Sequence, residues 1–430
     1  MSEEKVGTNS NTPNTSTNGV DRGLCLCLSG GGYRATLFHL GVVLRLNELG
    51  VLSRLSTITS VSGGSILNGV LATRWTQLSL GPDGVFSNFL EVMAKPVREF
   101  CSRDLRSRML IGIRLNPLNW LTLIRDGFSV SANFLAEAYQ PLYLTNLGKL
   151  PLPGPAVPRF VFCSTNVCTG ACWHFHGGPN AKMGDFYDGY CNATEIRVAD
   201  AVAASSAFPP GFSALRLKIA TGTSFTREDP WGELRVRSGK RPEIAAFEGA
   251  KSLLLTDGGV YDNLAVEPVW NRYKSLLVSD AGKPFLSTTS SGQNIVSRLV
   301  RASDISMEQV AAVRKRWLVQ DLLSGRRKGA IWTIHTRLVD FPLQDKRGYS
   351  EMASRSIQSI RTDLDPFSKA ESACLENHGY SLADSAVRSY ASNFCVNTSY
   401  RFEWPNADWV DDNRVVAALT GSDKRKLFRR

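Results

Sequence analysis

Leu55-Ser56-Thr57-Ile58-Thr59-Ser60-Val61 runs straight into Ser62-Gly63-Gly64-Ser65 and then into the apolar stretch from Ile66 to Trp75. The first run is rich in β-branched residues and predicts a strand; the stretch after the small residues predicts a helix. Upstream, Leu24-Cys25-Leu26-Cys27-Leu28 reads as a short buried strand that closes on Ser29 and the glycines Gly30, Gly31 and Gly32. Ala35 to Leu49 then carries apolar residues at helical spacing, with Gly50 as its C-cap. Strand, turn and helix, twice over, is the grammar of a parallel sheet.

Further along, residues 86–148 predict helices and irregular chain without a strand. Strands are expected again at Arg159–Asn166, Ser252–Thr256, Ser275–Ser279 and Gly329–Arg337. A long helix is expected from Asp304 to Leu323, capped by Asp304 or Ser303, and two or three helices between Ser350 and Tyr390. There is no internal repeat and no Pro/Gly linker. The expectation is one α/β domain over residues 22–390 with a helical insertion at about 86–148. A disordered polar arm, residues 1–21, precedes it, and an extension with a basic tail, residues 391–430, follows.

Composition narrows the class. The chain has 430 residues, 43% hydrophobic and 21% charged, close to globular averages. No apolar run is long enough to span a bilayer, so no transmembrane helix is expected. The polar start lacks the apolar segment of a secretory signal, and nine scattered cysteines form no disulfide framework. Both features point to a reducing, cytoplasmic setting. The net charge of +11 includes Lys424-Arg425-Lys426 and Arg429-Arg430. An anionic membrane or a nucleic acid could use it. No nucleic-acid motif accompanies the charge, so no nucleic-acid partner is expected.

Three turns carry chemistry. Ser62 lies where a strand bends sharply into a helix, the place that exposes a nucleophilic hydroxyl above a helix N-terminus. Such elbows need small residues two positions before and after the serine; Gly64 fits, and Ser60 stands where glycine is usual. The Gly30-Gly31-Gly32 loop offers unhindered backbone N–H groups at a helix start, a cradle for a phosphate or for the oxyanion of acyl transfer. Gly30, Gly32 and Ala35 also match a dinucleotide fingerprint, but that needs an acidic residue ending the second strand, where this chain has Ser-Val-Ser-Gly-Gly. Asp257, with Gly258 and Gly259, follows the apolar run Leu253-Leu254-Leu255, at a strand end where open α/β sheets keep their sites.

Taken together, G-G-G-x-R (Gly30 to Arg34), S-x-S-G-G-S (Ser60 to Ser65) and D-G-G (Asp257 to Gly259), in that order, resemble the patatin-like phospholipase family. Val202 to Pro210, Val-Ala-Ala-Ser-Ser-Ala-Phe-Pro-Pro, is similar to the family's A-x-x-A-S-x-A-x-P segment, and the stretch around Asp384 looks like its C-terminal helix. The resemblance spans roughly residues 22–390. It implies a three-layer α/β fold with a central, mostly parallel sheet and a serine elbow, and a Ser–Asp dyad without a catalytic histidine. It also implies cleavage of fatty acyl esters of phospholipids or lysophospholipids, independent of calcium or any cofactor. Carried over, Ser62 is the nucleophile and Asp257 the base, with Gly30, Gly31, Gly32 and Gly63 holding the oxyanion. Gly64, Gly258 and Gly259 shape the turns, and Arg34 either fixes the glycine loop or meets lipid phosphate. Other readings on the same fold are a thioesterase or soluble esterase, or an effector switched on by a signal such as a cyclic nucleotide.

Other constellations read as structural. Cys163, Cys168, Cys172, His174, His176 and Cys191 lack paired C-x-x-C spacing, and an alternating His-Phe-His suits a strand better than a zinc site. His39 reads as a satisfied helix histidine, and His335 and His378 show no partner pattern. Met109 to Ile124 is apolar, contains Trp120, and is flanked by Arg103, Arg106, Arg108, Arg114 and Arg125. It reads either as a core helix pair or as a surface that meets an anionic membrane. A peripheral membrane contact is expected, because a lipase draws its substrate from a bilayer or micelle. At an ordinary carboxylate pKa, Asp257 would be a weak base at neutral pH.

Overall fold

Alternation along the central strands sorts their side chains onto two faces. In β1 (Leu24–Leu28), the leucines at 24, 26 and 28 join the main core, while Cys25 and Cys27 face a second cluster with Leu276, Val278 and Leu318. These contacts belong to a computed structural model that describes residues 22–106, 130–209, 212–220, 222–233, 252–283, 295–397, 399 and 401–424. The polar arm, the apolar stretch with Arg108, Arg114, Trp120 and Arg125, and the tail beyond Lys424 lie outside the described residues.

β1 pairs in parallel with β2 (Leu55–Ser60) on one side and β9 (Ser275–Asp280) on the other. β10 (Lys328–Thr333) extends the parallel half beyond β9, and β3 (Arg159–Asn166) extends it beyond β2. Past β3 the sheet turns antiparallel through β4 (Cys172–His176), β5 (Lys182–Asp185) and β6 (Gly189–Asn192). β7 (Leu215–Lys218) pairs with β8 (Ser252–Asp257), which runs antiparallel to β3. The parallel centre is the expected one. Most of the antiparallel extension was not legible, because Lys-Met-Gly-Asp and Gly-Tyr-Cys-Asn are too short and too polar to show a two-residue period.

Helices cover both faces. α1 (Gly32–Glu48) packs on α9 (Lys369–Tyr390), and the two backbones nearly touch at Gly41 and Gly379. Asp384 of α9 accepts from Arg45 of α1 through Nε at 2.9 Å and Nη2 at 2.7 Å, locking that crossing. α2 (Gly63–Arg74), α4 (Val130–Tyr143) and α5 (Val198–Ser206) form one neighbouring group, and α3 (Lys95–Cys101) adjoins α1. The short α6 (Gly259–Asp262) contacts α7 (Ile295–Leu323), whose Leu318 reaches the opposite face of the sheet. α8 (Glu351–Gln358) and α10 (Asp412–Ala418) pack together beside α9.

Two boundaries differ most from expectation. α7 starts at Ile295, so Ser303 and Asp304 are exposed interior positions of a helix and cap nothing. The last strand ends at Thr333, where the Thr336 hydroxyl takes the Thr333 N–H and turns the chain.

Candidate active site

β4 occupies one edge of β3, so β2 and β8 must share the other. β2 pairs with the first half of β3 as far as Ser60 opposite Phe162. β8 pairs with the second half and ends with Asp257 opposite Ser164. One strand points up this edge and the other points down, and their tips meet across Cys163. The two partner positions on β3 are roughly 7 Å apart. That end-to-end abutment brings Ser62, just past the tip of β2, to Asp257 at the tip of β8.

Ser62 has φ 50° and ψ −118°, a left-handed conformation rare for a residue with a side chain. Its N–H donates to the Ser205 carbonyl at 3.1 Å and to Ser205 Oγ at 3.0 Å. Gly63 opens α2, and a Cβ there would stand 2.1 Å from the Gly32 carbonyl, so only glycine lets the two loops touch. The Gly64 N–H donates to the Ser29 carbonyl at 3.1 Å. Ser60, in the place usual for glycine, is buried and bonded to Ser65 Oγ at 2.9 Å and Asn68 Nδ2 at 2.9 Å.

Gly31 and Gly32 take φ 141° and 58°, which orients this loop in a way side chains resist. The N–H groups of Gly31, Gly32 and Gly63 have no hydrogen-bond partner among the described residues. Gly32 and Gly63 each begin a helix, so two positive helix ends converge there. Gly30 differs from its neighbours: its N–H is taken by the Asn263 carbonyl at 3.2 Å. Its amide is therefore occupied. Its contribution is space, since a Cβ there would lie 3.0 Å from Ser62 Cβ and 2.5 Å from Asn263 Oδ1.

Asp257 is buried, and its Oδ1 accepts the Gly259 N–H at 2.7 Å. Its Oδ2 is buried and makes no hydrogen bond of normal geometry among the described residues. Burial raises the pKa to about 7, against the opposing pull of the Gly259 N–H and the nearby Ser62 hydroxyl. This corrects the expectation of an ordinary, weak carboxylate base: Asp257 is buried, and among the described residues no cation stands beside it to hold it ionised. The Gly258 N–H donates to the Ser205 carbonyl at 3.3 Å.

Arg34 is buried too, and donates to the Ala281 carbonyl at 2.8 Å and the Ile360 carbonyl at 3.1 Å. Burial lowers its pKa to about 10, with Asp280 opposing. The Ala281 carbonyl that it holds lies beside Gly31 of the glycine loop. Arg106 pairs with Asp363 at 2.5 Å, and the Asp363 carbonyl holds the Tyr33 N–H at 3.0 Å, so Arg106 braces the start of α1. The histidines lie in bonds of their own. Both His39 ring nitrogens are engaged, by Ser279 Oγ at 2.9 Å and the Ser29 carbonyl at 3.0 Å, and burial lowers its pKa to about 4. His174 and His176 lie side by side on β4, and His378 meets the Ile334 carbonyl. Among the described residues no cluster of His, Cys, Asp and Glu could hold a metal ion, and no helix is long and apolar enough to cross a membrane.

Two residues of this neighbourhood gave little sign in the sequence. Asn263 faces Gly30 and Gly259, and its only sequence cue is its place on the turn after Asp-Gly-Gly. Ser205 lies in the Val202–Pro210 segment singled out by the family resemblance, but the segment carried no role for it.

The family model for patatin-like phospholipases matches residues 26–270, from β1 past the Asp257 turn. The chain belongs to the patatin-like phospholipase family. No curated protein matches it in sequence. Among solved structures, human GIVD cytosolic phospholipase A2 is similar over 60% of this chain and 45% of its own, at 14% identity and a TM-score of 0.34. The same enzyme in complex with methyl gamma-linolenyl fluorophosphonate is similar over 93% and 59%, at 14% identity and a TM-score of 0.41. VipD from Legionella pneumophila is similar over 86% and 68%, at 16% identity and a TM-score of 0.35. The chain spans less than two-thirds of the length of the human phospholipase A2. Membership in the patatin-like family rests on the sequence match, not on these distant likenesses.

Proposed function

We propose that this patatin-like protein hydrolyses fatty acyl esters of phospholipids or lysophospholipids, without calcium, through Ser62 as nucleophile and Asp257 as base. One observation carries the reading: a buried carboxylate oxygen that makes no hydrogen bond of normal geometry among the described residues, on a group whose pKa is about 7, across from a serine on a left-handed bend. A general base works best when its pKa lies near the working pH. Ser62 Oγ attacks the acyl carbonyl while its proton passes to Asp257 Oδ2. The carbonyl oxygen takes the negative charge and lies against the N–H groups of Gly31, Gly32 and Gly63. The intermediate collapses as Asp257 returns the proton to the departing alcohol. Water then repeats the sequence on the acyl-serine, giving up its proton to Asp257 and releasing the fatty acid.

The protein works as a cytoplasmic enzyme that contacts anionic membranes peripherally. Its net charge of +11 supports such contact. The test is fatty acid release from phosphatidylcholine and lysophosphatidylcholine vesicles in the presence of EDTA, beside labelling by a fluorophosphonate. Ser62→Ala should abolish both. Hydrolysis of short-chain esters alone would point to a soluble esterase, and labelling at another serine would refute the assignment. Gly31→Val should lower kcat by about 10²–10³, the usual effect of losing one oxyanion donor.

A further inference from the structure

The last turn of α5 touches both reacting residues through their backbones. A helix leaves its final carbonyls without intrahelical partners. Here those carbonyls are occupied by the two tips that abut on β3. The Ser205 carbonyl accepts the Ser62 N–H at 3.1 Å and the Gly258 N–H at 3.3 Å. Two residues on, the Ala207 carbonyl accepts the Asp257 N–H at 3.1 Å and the Thr256 hydroxyl at 2.8 Å. One short piece of chain thereby holds the nucleophile, the base and the residues beside the base.

The Ser205 side chain adds a second hold. Its Oγ lies 2.6 Å from the Cys163 carbonyl, which can only accept, so the single Ser205 hydroxyl proton goes there. Toward its other neighbours Ser205 Oγ must then accept, from the Ser62 N–H at 3.0 Å and from Ser65 Oγ at 2.8 Å. Ser65 has spent its proton and accepts from Ser60 Oγ at 2.9 Å; Ser60 accepts from Asn68 Nδ2 at 2.9 Å. One proton per hydroxyl sets the direction from Ser65 through Ser205 to Cys163, and the Ser60 proton favours Ser65 at 2.9 Å over its other acceptor, the Val161 carbonyl at 3.3 Å, which extends the chain back to Ser60 and Asn68. Cys163 is the residue between the two positions of β3 where β2 and β8 end. The serine at position 60 thus supplies a link that a glycine would lack.

We propose that Ser205 is a positioning residue that fixes the separation of Ser62 and Asp257, through its carbonyl and through a directed chain of serine hydroxyls that includes Ser60 and Ser65. The proposal rests on the Ser62–Asp257 reading above and assigns a task to the Ala-Ser-Ser-Ala segment. Ser205 is fully buried. It acts by holding a bend that the Ser62 backbone would otherwise relax, and misplacement of a reacting group by about 1 Å can cost 10² in rate.

The experiment is Ser205→Ala in the full chain, with folding checked by circular dichroism and two readouts: the fluorophosphonate labelling rate, and kcat and KM on a short-chain ester. Labelling and kcat should each fall by about 10–10², with KM changed less than about twofold. The neighbouring Ser206→Ala should keep the wild-type rates, since the Ser206 hydroxyl bonds back to Val202 within the helix. A folded Ser205→Ala protein with wild-type kcat and labelling overturns the proposal. If that variant does not fold, Ser65→Ala breaks the same chain one link upstream, and wild-type rates there overturn it equally. Ser62→Ala is measured alongside. Activity surviving in Ser62→Ala would remove the dyad itself, whereas loss there beside an unaffected Ser205→Ala would remove only the positioning role.

Discussion

Asp257 and Asp280 end two strands of one sheet in nearly the same way. Each is buried, and each accepts the N–H of the glycine-bearing turn two residues on, from Gly259 at 2.7 Å and from Gly282 at 2.8 Å. They differ in their charged surroundings. Asp280 meets Lys315 of α7 at 2.5 Å; among the described residues Asp257 meets no cation. Burial pushes both carboxyls toward the neutral form, but beside Lys315 the Asp280 pKa falls below its ordinary value, while that of Asp257 rises to about 7. The local turn does not make a base. Withholding the counter-ion does.

The largest contrast should appear in activity. Asp257→Asn keeps the shape of the side chain and removes the basic lone pair, so hydrolysis should fall by on the order of 10⁴. Asp280→Asn should retain measurable turnover and instead lose stability, on the order of 2 kcal/mol. That figure is discounted because Lys315 keeps about a third of its side chain in solvent. Ester hydrolysis and urea unfolding of the two variants measure this, and equal damage to activity would erase the comparison.

The same pair shows what could be read from residues alone. Leu-Leu-Thr-Asp-Gly-Gly and Leu-Val-Ser-Asp-Ala-Gly are close to interchangeable as local patterns, and the order of the glycine loop, the elbow and Asp-Gly-Gly singled out the first. The parallel strands were legible because their apolar runs are long enough to show. The pKa was not, because the deciding contact at Asp280 comes from Lys315, on a helix far along the chain. The abutment of β2 and β8 on β3 was also hidden: it depends on β4 holding the opposite edge, and no local pattern encodes which edge a strand takes. The contacts of Asn263, and the role of Ser205 within its motif segment, escaped for a related reason, since both residues reach the site through backbone carbonyls.

Stability should respond to pH with opposite signs. The folded pKa of Asp257 lies above its ordinary value of 3.8, so the stability tied to its neutral form is full below about pH 4 and lost as pH rises through about 7. Asp257→Asn should therefore be more stable than wild type at pH 8, by at most about 4 kcal/mol, and no more stable at pH 4. Asp280 has its pKa depressed; its contribution is present above its ordinary value and lost as pH falls below it. Denaturant midpoints from about pH 3 to pH 8 would show both dependences, and parallel curves for the two variants would contradict them.

A smaller effect is expected at His39, on the Asp280 side of the site. Both ring nitrogens are engaged and burial holds the ring neutral. His39→Gln should lower kcat by less than about tenfold with a folded protein. A folded variant as inactive as Ser62→Ala would give the proton transfer to a histidine and reduce Asp257 to an orienting role.

The central claim is that Asp257 itself changes protonation near neutrality. An infrared difference titration of wild type against Asp257→Asn observes this carboxyl alone. A protonated carboxyl band should be present at pH 5 and give way to carboxylate with a midpoint near pH 7. A carboxyl already fully ionised at pH 5 would contradict the account.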